Sequence, residues 1–91
     1  MAWNRRGYVR YLQRDLDGAL ADYTQAIILN PARATARKDR AAVFRDYGAY
    51  GRAIADLAEA IKIAPADTFA LNMKGQMHEK RGESELAIGS Y

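Results

Sequence analysis

Cysteine is absent from the chain and histidine occurs once, at His78. Neither a disulfide framework nor a thiolate or imidazole metal cluster can be assembled from that inventory. Long apolar runs are missing too. AIIL at 26–29 falls far short of the roughly 20 residues that a bilayer span needs, and the opening MAWNRRG lacks the apolar stretch of a signal peptide. The expectation is a soluble, cytoplasmic protein without a membrane segment; if these residues are an excerpt, a targeting signal could lie outside them.

Groupings that carry chemistry are equally scarce. Gly48 and Gly51 are not followed by the Lys-Ser/Thr of a phosphate-binding loop. His78 has no identifiable nucleophile or carboxylate partner and reads as a packing residue between helices. Glu79, Glu83 and Glu85 are interleaved with Lys80 and Arg81, which reads as a solvated surface rather than a metal or acid/base cluster. Trp3 reads as an interhelical packing group. No enzyme activity, cofactor or metal is expected.

What is present is an ordinary globular balance, 49% hydrophobic and 27% charged, in 91 residues that suffice for one continuous core. The net charge of +3 is uneven. Residues 1–45 carry nine Lys/Arg against four acids, and residues 46–91 carry five against seven. That bias, centred on Arg5, Arg6, Arg10 and Arg14, allows an acidic partner. It lacks the dense clustering of a dedicated nucleic-acid binder, so nucleic acid is the second reading only.

The dominant signal is an internal repeat. ADYTQAIILNPA at 21–32 returns as ADLAEAIKIAPA at 55–66, and residues 1–34 and 35–68 share ten identities without an insertion. In the same register Gly7, Ala41 and Gly75 align, as do Ala19, Ala53 and Ala87. Ala19, Leu20, Tyr23, Ala26 and Ile27 form a helical stripe that Ala53, Ile54, Leu57, Ala60 and Ile61 repeat. Gly48 and Gly82 stand where a first helix should end, and Pro31 and Pro65 stop the second. The spacing predicts helices near 2–14, 17–29, 34–47, 51–63, 68–81 and from 84 onward. Small residues at fixed positions let each helix approach the next closely and in the same way, which makes a solenoid.

Charges repeat as well. Arg6 and Arg40 recur at one position and Asp22 and Asp56 sixteen residues later, which predicts a ladder of interhelical ion pairs, Arg6 with Asp22 and Arg40 with Asp56 or the equivalent contact to the neighbouring unit. In the third unit Lys74 continues the basic series, and Ser90 interrupts the acidic one.

Taken together these residues resemble the tetratricopeptide repeat, a 34-residue helix–turn–helix unit. Trp3 and Gly7 match its Trp-x-x-Leu-Gly signature, with Arg6 in place of Leu. Ala19, Tyr23, Ala26 and Pro31 match its later positions, and Ala41, Phe44, Gly48, Tyr50, Ala53, Leu57, Ala60 and Pro65 do so in the second unit. Gly75, Gly82, Ala87 and Tyr91 follow in the third. Departures are Arg10 and His78, where the family has an interhelical Tyr, and Arg14, where it has Gly. First-unit packing is therefore expected to rest on Tyr11 or Tyr8.

The resemblance implies an all-α, right-handed superhelical solenoid of antiparallel helix hairpins, one domain over 1–91 with repeats 1–34, 35–68 and a truncated 69–91. It lacks a polar terminal cap, so either the array continues or its ends self-associate. The resemblance also implies a protein or peptide partner on a concave face lined by the first helices. On this chain that face comprises Asn4, Arg5, Tyr8, Tyr11 and Leu12, then Lys38, Asp39, Ala42, Arg45 and Asp46, then Phe69, Asn72, Met73, Gln76 and Glu79. The family's subgroup that clamps C-terminal carboxylates needs Lys, Asn and Arg at groove positions that here hold Asn4, Tyr8, Asp39, Phe69 and Met73. That specificity is not carried over.

Overall fold

A computed structural model describes residues 2–89, with side chains for 2–83. Five helices follow one another: α1 (Trp3–Leu12), α2 (Leu16–Leu29), α3 (Ala34–Tyr47), α4 (Tyr50–Ile63) and α5 (Thr68–Gly89). No strand occurs among the described residues. Each helix packs on the next in the chain, giving an elongated all-α solenoid of 47 × 30 × 18 Å.

The hairpin turns use one device twice. Gly48 sits in the left-handed region at φ 77°, with its N–H on the Arg45 carbonyl at 2.9 Å and the Ala49 N–H on that of Phe44 at 2.8 Å. Those paired bonds satisfy carbonyls that the end of α3 leaves unpaired. Thirty-four residues earlier Arg14 does the same at φ 65°, with Arg14 N–H on Tyr11 at 3.0 Å and Asp15 N–H on Arg10 at 2.8 Å. An L side chain pays for that conformation where glycine does not. The turns between hairpins also match, with Arg33 N–H on the Asn30 carbonyl and Asp67 N–H on that of Ala64.

Second helices supply the buried seam. Ala19 and Tyr23 of α2 pack with Val43 of α3, while Ala53 and Leu57 of α4 pack with Ala41, Ala70, Met73 and Met77. Fully burying side chains the size of Leu57 or Met77 contributes about 1.5–3 kcal/mol each. Gly7 is required for the approach of α1 to α2, because a Cβ there would lie 2.9 Å from the Tyr23 ring. Tyr11 packs against the α2 cluster, whereas Tyr8 is exposed.

The third unit departs from the sequence expectation. α5 runs unbroken past Gly82, so no separate helix begins at 84. Extending a helix adds one hydrogen bond per residue fixed, whereas a new helix in the eight residues after Glu83 would need its own nucleus. One helical glycine, at about 1 kcal/mol relative to alanine, does not outweigh that difference. Without a second helix lying over it, His78 is exposed rather than packed between helices. Ser90 and Tyr91 lie outside the described residues.

Candidate functional site

The ion-pair ladder is formed as its spacing predicts. Arg6 donates from Nε and Nη2 to Asp22 at 2.9 and 2.8 Å, and Arg40 does the same to Asp56 at 2.7 and 2.6 Å. Both carboxylates are buried, and the two-point geometry satisfies each with a matched planar fork. The Arg6 bond holds the Asp22 carboxyl below the usual carboxylate range against the opposing effect of burial, with Arg10 adding to the shift. Arg10 approaches Asp22 at 3.6 Å. Of the four arginines that carried the nucleic-acid reading, Arg6 and Arg10 are thus turned onto one carboxylate, which weakens any single-sign surface there.

Helices α1, α3 and α5 are tied along one side by polar contacts between their side chains. Asn4 donates to Asp39 at 3.2 Å, Tyr11 to Asp46 at 2.7 Å, and Arg45 to the Tyr11 hydroxyl at 3.1 Å and to Asp46 at 3.2 Å. Burial raises the Tyr11 hydroxyl, and its bond to Asp46 raises it further. Burial likewise raises Asp39, with Asn4 and Lys38 partly offsetting it. Lys38 spans to α5, bonding Asp67 at 2.5 Å and lying 5.9 Å from the centre of the Phe69 ring. Many of the residues expected to line the groove therefore hold one another in place. Of the apolar residues on this face, Tyr8 is 52% exposed, Leu12 62% and Phe69 61%.

Arg45, Phe69, Asn72, Met73 and Gln76 line a shallow depression of about 230 Å³. Met73 lines the depression but is only 5% exposed, because it also belongs to the core cluster with Leu57 and Met77. A groove position facing α4 closely enough is claimed by the core. Ala42 is half-buried against the same core, and Glu79 is exposed. Arg5 is separated from the depression and lines a larger cleft of about 600 Å³, whose apolar lining includes Trp3, Ala26, Leu29 and Ala36.

Arg33 and Asn30 also border that cleft and were not among the expected site residues. The signal was present in the repeat: Arg33 falls opposite Asp67, and Asn4 opposite Lys38, so a bridging pair in one junction is missing in the other. Among the described residues there is no metal-holding group of carboxylates or histidines. No helix there is long and apolar enough to cross a membrane.

Comparison with known proteins gives a consistent picture. The tetratricopeptide repeat family model matches residues 1–32. A relative from Arabidopsis thaliana, the inactive TPR repeat-containing thioredoxin TTL3, is 30% identical over 83 residues, covering 91% of this chain and 12% of that protein. Among solved structures, one concerned with molecular features of the UNC-45 chaperone critical for binding and folding muscle myosin superimposes with a TM-score of 0.85 at 23% identity. That alignment covers 97% of this chain and 10% of the chaperone chain, and it speaks to the fold. The chain thus spans about a tenth of the length of each protein it matches.

Proposed function

Because this chain belongs to the tetratricopeptide repeat family, whose repeats generally mediate protein–protein interaction, we propose that it binds an extended segment of a protein partner along α1, α3 and α5. The observation that carries the reading is the exposure of Tyr8 and Leu12 on α1 and of Phe69 on α5, on helices whose Tyr11, Arg45 and Asp46 side chains hold one another in place. Exposed aromatics set among pre-ordered polar groups bind at low cost in conformational entropy. Mixed charge along the face favours reading of individual side chains over attraction by net charge, and the missing cations argue against a clamp for C-terminal carboxylates. The chain acts in this reading as a scaffold without chemistry of its own.

Selection of a random peptide library on the 91-residue chain tests this. Selected peptides should lose about tenfold in affinity on Phe69→Ala or Tyr8→Ala and keep it on Ile28→Ala, an exposed site on α2. Peptides that ignore both aromatic changes would refute the assignment.

A further inference from the structure

The two junctions between successive hairpins use equivalent positions and are closed differently. At the second, Asp67 stands before α5, accepts the Ala70 N–H at 3.2 Å and takes the Lys38 ammonium at 2.5 Å. Thirty-four residues earlier the same places hold Arg33, Ala36 and Asn4. Arginine has no acceptor to offer, so α3 starts without a side-chain cap. Asn4 turns to Asp39 instead, leaving its own Oδ1 buried with no partner. What remains at the first junction is the cleft of about 600 Å³. Arg5 and Arg33 border it, neither ion-paired among the described residues, and no carboxylate is on its described lining.

We propose that this cleft is a docking site for an acidic side chain of a protein partner, an Asp or Glu next to a bulky apolar residue in an extended segment. The carboxylate takes the place that Asp67 fills at the other junction. It accepts from the first turn of α3 and from Arg5 and Arg33, all charge-favoured contacts for an anion. The apolar neighbour lies against Trp3 and Leu29. Phosphate of a nucleic acid would satisfy the cations but not the apolar wall, so a peptide fits better. This inference rests on the proposal that the chain binds extended segments of a protein partner.

The probe is the capped peptide acetyl-Gly-Glu-Leu-Gly-amide, titrated into the ¹⁵N-labelled chain and followed by NMR. The Trp3 indole and the Asn30 and Ala36 amides should shift to saturation, about fivefold less tightly or weaker for the Gln-containing peptide. Arg33→Asp should remove the response without lowering the melting temperature, because it supplies the missing carboxylate, and a cap for α3, from within. Equal response to the Gln peptide, an unaltered response in Arg33→Asp, or no shift at about 20 mM peptide would overturn the site. So would an oligothymidylate that shifts the same signals more tightly than the peptide. Library peptides that depend on Tyr8 and Phe69 but not on Arg33 would remove this cleft and leave the groove reading standing.

Discussion

Arg40 reaches across from α3 to grip the buried carboxylate of Asp56 on α4 at two points, and its remaining nitrogen bonds Thr24 of the preceding hairpin at 3.3 Å. One guanidinium therefore fixes the register of three consecutive helices. Removing it strands a buried carboxylate, which costs about 3 kcal/mol, more than deleting an exposed pair would. A double-mutant cycle with Arg40→Gln and Asp56→Asn, measured by urea denaturation, should give a coupling of about 1 kcal/mol or more. No coupling would make the pair incidental to the fold.

Acid should loosen the first rung. The Asp22 carboxyl is depressed in the folded chain, chiefly by Arg6, so its contribution is complete above the ordinary carboxylate pKa near about 4 and is lost as pH falls through the lower folded value. Asp39, raised by burial, works in the opposite sense and favours folding more once it is protonated. Thermal melts between pH 7 and pH 2 should show Asp22→Asn less stable than the parent at neutral pH, with the gap closing in acid. A gap independent of pH would contradict the assignment.

The left-handed Arg14 is a built-in cost. Arg14→Gly should stabilise the chain by about 1 kcal/mol, because glycine adopts φ 65° without the Cβ penalty. Gly48→Ala at φ 77° should destabilise it by a similar amount. Denaturant midpoints of the two variants, moving in opposite directions, check this.

Gly7 and its repeat equivalent Gly75 should respond in opposite ways, with Gly82 following Gly75. Gly7→Ala drives a methyl into the Tyr23 ring and should cost about 1–3 kcal/mol. At Gly75 and Gly82 a Cβ would meet nothing within 4 Å, so alanine should stabilise α5 by about 0.5–1 kcal/mol each through helix propensity. A loss at either position by circular dichroism melts would mean that another helix covers that face in solution.

The repeat period made the hairpins legible, because a residue that recurs every 34 positions meets the same neighbour each time. That is why Arg6–Asp22 and Arg40–Asp56 could be read from spacing alone. The same rule misled at Gly82 and His78, where the described residues hold no second helix to define the position: α5 continues past Gly82 and His78 is exposed. The burial of Met73 was not legible in the spacing, since a groove position and a core position differ by a small rotation about the helix and an apolar side chain settles toward the core. The cleft at the first junction was encoded in Arg33 against Asp67, a difference between repeats that a search for similarity passes over.

The central claim is that the partner segment lies along α1, α3 and α5. Chemical-shift mapping of the labelled chain with a library-selected peptide tests it most directly. The account predicts shifts concentrated at Tyr8, Leu12, Phe69 and Gln76; shifts concentrated instead at Ile28, Glu59 and Lys62, on the exposed sides of α2 and α4, would contradict it.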